Sequence, residues 1–498
     1  MSNLADSGDP RWTLRPTRRA FLRLAIGSSA VTLLAACAAE PQPTPKPAAQ
    51  PTSAPKPTSA PPPTSASQPA AQPTQAPVAP TAPPAAKEFD WKKYSGTQLR
   101  YLGWNGPWSD SLAAKLPEFE QLSGIQVTWE RLPQEQNRQK AMTEFTAKNK
   151  DLDLVFVAPD VDCVKYSKAG WLQPIDEYLT NPQMMPPDFD LKDFADGVMK
   201  TGNILGKQLI IPHQVDVAGF CYRKDLFAEK GLKPPETMDE IDGIFAKLHA
   251  PPEMYAFVSR GTGAQGPVTW AAYLYSFGGD WLTADRKPAI STPESIQSIE
   301  FWANLCIKYG PPGASGLNWP ESSAFIAQGK AAVEMDTTSR KSVYEDPKQA
   351  KVAGKMGYAL FPKGPGGAKP WLWTAGTAIS AFSQKKEAAW YFVLWTLSKQ
   401  NQLFTQVNGT AAVRASAWNA PEMDNIRKAT PDWIETTLKT MEISDRPINP
   451  RVVAVMEYRN RVGEVLVKAL QGLKGDALKA EAEKCDKDLA DIMAKTEG

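Results

Sequence analysis

Histidine is nearly absent and cysteine is sparse, and these shortages remove most metal and nucleophile chemistry at once. Two histidines occur, His213 and His249. Zinc sites built on histidine, and Ser-His-Asp or Cys-His catalysis, therefore have almost nothing to be made from. His249 precedes Ala250-Pro251-Pro252 and reads as a helix-end residue. His213, in Ile210-Ile211-Pro212-His213-Gln214, stands at an expected strand end, where it faces either core or pocket. Cys163, Cys221, Cys306 and Cys485 lie far apart, without metal-site spacing, and read as buried free thiols. Were they paired, sequence would not choose the partners. A dominant charge is also missing: 56 Lys and Arg against 54 Asp and Glu give a formal net charge of +2. No basic stripe of the kind nucleic acid needs is present. No apolar run reaches the roughly 20 residues of a spanning helix, and the densest, Ala388 to Leu397, reads as a core helix. A phosphate loop is absent, so the chain does not itself power transport. Gly261-Thr262-Gly263-Ala264-Gln265-Gly266 fits the dinucleotide pattern G-x-G-x-x-G. It stands alone, with no later strand ending in an acid, so no cofactor and no metal is expected.

What is present begins at the N-terminus. Thr17-Arg18-Arg19-Ala20-Phe21-Leu22-Arg23 precedes an apolar run from Leu24 to Leu34, then Ala35-Ala36-Cys37. A charged start, a short apolar segment and small residues before a cut site is the layout of an export signal. The paired arginines resemble a twin-arginine address, and Leu34-Ala35-Ala36-Cys37 resembles a bacterial lipobox, which makes Cys37 the lipidated residue of an exported, membrane-anchored chain. From Pro41 to Ala86 the sequence is almost entirely Pro, Ala, Thr, Ser and Gln, with Val78 its one large apolar residue. Such composition cannot offset its ordering entropy, so a disordered tether with a reach on the order of 100 Å is expected. The segments are read as 1–36 signal and 37–96 linker.

The body after the linker is long enough for two lobes, each with its own core. Gln98 to Gly103, Ile125 to Trp129 and Leu152 to Val157 read as strands, separated by helices over 109–122 and 135–149. That alternation argues for a parallel, doubly wound sheet with ligands beyond the carboxyl ends of its strands. Thr237-Met238-Asp239-Glu240 and Thr292-Pro293 read as helix starts.

An ordered set of fragments carries a resemblance. It includes Ala169-Gly170-Trp171-Leu172-Gln173-Pro174-Ile175-Asp176, Tyr222-Arg223-Lys224-Asp225-Leu226-Phe227 and Phe277-Gly278-Gly279-Asp280-Trp281. Phe325-Ile326-Ala327-Gln328-Gly329-Lys330-Ala331-Ala332-Val333 and Ala378-Ile379-Ser380 follow. From about Leu99 onward the chain resembles family 1 extracellular solute-binding proteins of bacterial ABC importers, the sugar-binding class. The resemblance implies an α/β fold of the type II periplasmic-binding-protein kind: two doubly wound lobes joined by hinge strands, with a ligand cleft between them. It implies 97–215 and 360–398 for the first lobe and 216–359 and 399–498 for the second, with crossings near 216–222, 356–362 and 399. It also implies a monomer that takes a carbohydrate and meets membrane permease subunits. Pro311-Pro312-Gly313-Ala314 with Trp319-Pro320-Glu321 resembles the branch that binds sugars and sugar alcohols.

Carbohydrates offer hydroxyl edges and apolar C–H faces, so their sites need aromatic walls and a few convergent polar groups. Trp104, Asn105 and Trp108 follow the first strand, Trp281 follows Gly278-Gly279-Asp280, which puts Gly279 and Asp280 beside it, and Trp319, Trp371 and Trp373 stand beside glycine, proline or polar residues. These are the expected stacking platforms. Asp160 after the third strand, Gln214 and Asp216 at the hinge, and Asp336 after Ala331 to Met335 are the expected polar contacts. Arg414, in Ala411-Ala412-Val413-Arg414, matches a segment whose arginine faces the cleft in this family, with Val413 where many members carry proline. A binder is the leading reading. A secreted carbohydrate enzyme using paired carboxylates, or a receptor presenting sugar to a sensor, would show the same residues.

Overall fold

The computed structural model describes residues 89–444 and 446–497. The expected export signal, Cys37 and the Pro/Ala/Thr-rich stretch up to Ala86 lie outside the described residues. Folding starts before the expected linker end at 96. Phe89 stacks on Tyr391 at 4.7 Å, and Trp91 and Tyr94 meet the same ring edge-on. Three aromatic rings gain more by packing on a neighbour than by staying in water, so this stretch belongs to the body.

The first strands are β1 (Gln98–Trp104), β2 (Gln126–Leu132) and β3 (Leu154–Val157), all parallel with β1 in the middle. Between them lie α1 (Pro107–Ala113), α2 (Leu116–Ser123) and α3 (Gln134–Thr146). The spacing of apolar residues predicts one helix over 109–122, but the structure divides it at Ala114 and Lys115. Pro117 lacks an N–H and its ring would collide with the carbonyl of Ala113, so α1 does not run on into α2. Gly124, at φ 69°, closes α2 in the left-handed conformation as expected.

The chain continues through β4 (Pro212–Arg223), α4 (Ile241–Leu248), β5 (Tyr255–Val258), α5 (Gly266–Ser276), α6 (Pro293–Tyr309) and α7 (Trp319–Ala327). Next come β6 (Ala331–Thr337), β7 (Met356–Leu360), β8 (Trp371–Ile379), α8 (Lys386–Thr396) and α9 (Lys399–Val407). The last elements are α10 (Pro431–Ile443), β9 (Arg446–Pro447), α11 (Val455–Leu470) and α12 (Gly475–Thr496). Among the described residues nine strands form one sheet in the order β2-β1-β3-β8-β4-β6-β5, with β9 beside β8 and β7 beside β4.

β4 makes this one sheet out of two. Its residues from Pro212 to Val217 pair antiparallel with β8, and those from Ala218 to Arg223 pair with β6 and β7. A single strand thus hands the chain from one lobe to the other, and Asp216 sits just before the exchange. The first lobe buries Leu99, Tyr101, Phe156, Ile379, Trp390 and Phe392. In the second, Phe220, Phe257, Trp270, Trp302, Tyr458 and Leu466 form the core. The lobe boundary expected at 399 falls inside a packed stretch. Helix α9 lies against α1, Lys115 Nζ donates to Asn401 at 3.0 Å and Gln402 donates to the His213 carbonyl at 3.1 Å. The polar face of α9 is what holds it there, since each of those buried amides finds its partner only on the first lobe.

The dinucleotide-like glycines have a packing role. A Cβ on Gly261 would strike the Ala314 carbonyl, and one on Gly463 of α11 would strike the backbone of Gly263. Gly261 thus lets the loop lie against Ala314, and Gly463 lets α11 approach the backbone of Gly263. Cys163, Cys221, Cys306 and Cys485 are free and buried, as their spacing suggests. Among the described residues no helix is long and apolar enough to cross a membrane.

Candidate ligand-binding site

Strand ends supply the aromatic wall. β1 finishes at Trp104, whose indole stacks on Phe156 of β3 at 4.1 Å and on Trp373 of β8 at 5.7 Å. Trp371 and Trp373 share a face of β8 because side chains alternate along a strand. On the opposite side Trp319 opens α7. Asn318 accepts the Trp319 N–H at 2.7 Å, and Glu321 returns to accept the Asn318 N–H at 3.1 Å. This capping box fixes the helix start and holds out an indole that is 42% exposed. The guanidinium of Arg340 lies 4.6 Å over that ring.

Between these walls are two adjoining chambers of about 480 and 500 Å³. They share Trp104, Gln134, Asp216, Trp319, Arg340 and Trp373, and so form one cleft. The first also meets Trp371, Asn449 and the arginines 138, 260 and 459. The second also meets Asn105, Trp108 and Gln214.

The carboxylates divide into one that faces the cleft and three that stand behind it. Asp216 lines both chambers. It accepts from the hydroxyls of Thr337 and Ser339, the latter at 3.0 Å, and burial pushes its carboxyl above the usual range. Asp336 is enclosed behind Arg260, which grips it with two bonds of 2.6 and 2.8 Å. Arg138 reaches Asp162 at 2.9 Å. Asp160 accepts from Asn449 at 2.8 Å, and its other oxygen has no hydrogen-bond partner among the described residues. Burial pushes Asp160 up to about 6, with the Asn449 bond and the charge of Arg459 pulling the other way. Arg459 donates to the Ala264 carbonyl at 3.0 Å, and burial pushes its guanidinium down to about 10.

The expected site residues therefore sort by position. Trp104, Asn105, Trp108, Gln214, Asp216, Trp319, Trp371 and Trp373 come together on the cleft. Trp108 presents only an edge there, since its ring is buried against His213 at 3.5 Å. His213 is itself buried, which pushes its imidazole well below the usual value. Asp160 and Asp336 reach the cleft only through Asn449 and Arg260. Asp280 and Trp281 border a separate cavity of about 470 Å³. The Trp281 indole is not an exposed platform but core, edge-on to Trp270 at 5.4 Å and to Tyr458 at 6.2 Å. Gly279 lines neither cavity; a Cβ there would lie 2.6 Å from Leu274 Cδ1, so packing explains it. Arg414 does not face the cleft. It is fully enclosed, donating to the carbonyls of Leu397, Phe189 and Asp190 and to Asp193.

Sequence reasoning missed the arginines, Gln134 and Asn449. Arg260 follows β5 by two residues, so the strand-end rule that found Trp104 would have found it too. Arg459 lies mid-helix and carries no such signal.

A family model described as bacterial extracellular solute-binding protein matches residues 105–403. The chain belongs to that family. This solute-binding protein is 27% identical over 373 residues to the mannitol-binding protein of Pseudomonas aeruginosa, covering 70% of this chain and 82% of the relative. The ABC transporter solute-binding protein of Agrobacterium radiobacter K84, crystallised with ribitol, superposes with a TM-score of 0.69 at 25% identity, covering 80% of this chain and 99% of that one. That of Agrobacterium vitis S4, with bound D-mannitol, gives 0.64 at 27% identity, with 80% and 99% covered. The fold is that of the type II periplasmic sugar-binding proteins, and the family is made up of binding proteins.

Proposed function

We propose that this solute-binding protein is an exported lipoprotein, anchored through Cys37, that captures a carbohydrate and passes it to the membrane permease of an ABC importer. The guest is a sugar, an oligosaccharide or a sugar alcohol, and the two lobes close on it about β4. The stacked pair Trp104 and Trp373 beside Asp216, on a strand shared by both lobes, carries the reading. A sugar ring or polyol chain lays its C–H face on the indoles and gives hydroxyl protons to the carboxylate. Because Asp216 precedes the point where β4 changes partners, ligand held there favours one relative lobe position over others. The polyols held by relatives support the same chemistry. The Leu34-Ala35-Ala36-Cys37 sequence supports the anchor.

A thermal-shift screen over mono-, di- and oligosaccharides and polyols tests capture, since a ligand bound only by the folded state raises the melting temperature. At least one compound is expected to raise it and to quench tryptophan fluorescence without being cleaved. A flat screen, or cleavage products, would overturn the proposal. For the anchor, labelled fatty acid is expected to enter the wild type and not Cys37→Ser.

A further inference from the structure

The charges on the cleft do not balance at its surface. Four guanidiniums, Arg138, Arg260, Arg340 and Arg459, line it against one carboxylate, Asp216. Two of the four are answered from behind: Arg138 by Asp162 and Arg260 by Asp336. Neither of the other two is hydrogen-bonded to a carboxylate among the described residues. Arg340 makes no hydrogen bond among the described residues, and its Nε is buried without an acceptor. Its nearest carboxylate, Asp336, is 4.0 Å away and already held by both arms of Arg260. Against burial, the charges of Asp336, Glu334 and Asp216 keep the Arg340 guanidinium above its usual range. Arg459 is 7% exposed and has no carboxylate within salt-bridge distance among the described residues. A buried guanidinium donor without an acceptor is costly.

From this arrangement we infer that the carbohydrate taken by this cleft bears an anionic group, which pairs with Arg340 while Arg459 adds charge beside it. The inference rests on the carbohydrate reading above. A neutral hydroxyl offers Arg340 a lone pair and no charge. A carboxylate or a phosphate ester offers two acceptor oxygens matched to the guanidinium fork, and neutralises it. The Arg340 guanidinium lies 4.6 Å from the centroid of the Trp319 ring, a cation–π contact that holds it on the cleft wall.

Calorimetry on the full chain with matched pairs tests this: D-glucuronate and D-glucose, D-galacturonate and D-galactose, D-gluconate and D-glucitol, D-mannonate and D-mannitol. D-Glucose 6-phosphate separates phosphate from carboxylate as the source of the charge. In at least one pair the anion is expected to bind about tenfold or more tightly than its neutral partner, an advantage that shrinks as salt rises. Tighter binding of the phosphate than of the uronate assigns the anion to an ester. Arg340→Gln is expected to cost the anion more affinity than it costs the neutral partner. Neutral members binding as tightly as the anions in every pair would overturn the inference and leave the carbohydrate reading standing. No binding by any compound would overturn both.

Discussion

The two sides of the cleft are built by different means. On the first lobe, Trp104 and Trp373 are held by the ends of hydrogen-bonded strands and by stacking on each other and on Phe156. On the second, Arg260, Arg340 and Arg459 come from a strand end, a turn and mid-helix, and are held by a carboxylate, an indole face and a carbonyl. The first wall is set by backbone and packing, and the second by electrostatics. On the reading proposed above, the indoles select for shape and the arginines for charge.

The largest effects should come from tryptophans that look alike in sequence but lie in different places. Trp281→Ala removes a core ring wedged between Trp270 and Tyr458. It is expected to lower unfolding free energy by about 3–5 kcal/mol in denaturant titration, with affinity retained by whatever remains folded. Trp373→Ala should do the reverse, weakening carbohydrate binding by about 1–3 kcal/mol in calorimetry with a smaller loss of stability. Equal effects of the two variants on affinity would erase the distinction between core and cleft rings.

A smaller effect separates the buried acids. The Asp160 carboxyl is pushed from 3.8 to about 6 on folding, chiefly by burial, with Asn449, Asp162, Arg138 and Arg459 around it. An acid shifted upward contributes stability that is fully present below its unfolded value and is lost as pH rises through its folded value. Wild type therefore loses this contribution between about pH 4 and pH 6. Asp160→Asn does not titrate there, so its melting temperature minus that of wild type should climb across the same interval. A difference that is flat with pH would contradict the placement. The smallest effect is none: with four buried free thiols, a reducing agent should leave the melting temperature unchanged, and a drop would reveal a disulfide.

How much of this was legible in sequence follows from how each part is made. The alternation of strands and helices announced β1 to β3, the end of the first strand pointed to Trp104, and a Gly/Pro-rich loop pointed to Trp371 and Trp373, because periodicity, strand ends and loop composition are local properties. Pro117 was visible too, yet an apolar stripe running through it concealed the break between α1 and α2. Trp281 and Arg414 failed for a different reason. A tryptophan after Gly278-Gly279-Asp280 reads the same whether Tyr458, far along the chain, covers it or not. An arginine after Val413 gives no hint that Phe189, Asp190, Asp193 and Leu397 will use up its donors. The pairing of Arg260 with Asp336 likewise joins distant positions, so the guanidinium donors that line the cleft come together only once the chain has folded.

The most direct measurement is a crystal structure of the chain with the carbohydrate that raises its melting temperature most. Density for the guest against the Trp104 and Trp373 indoles, with a hydroxyl on Asp216 and both lobes in contact with it, is the expected result. A guest seated in another groove, or touching one lobe alone, would contradict the clamp on which everything else here depends.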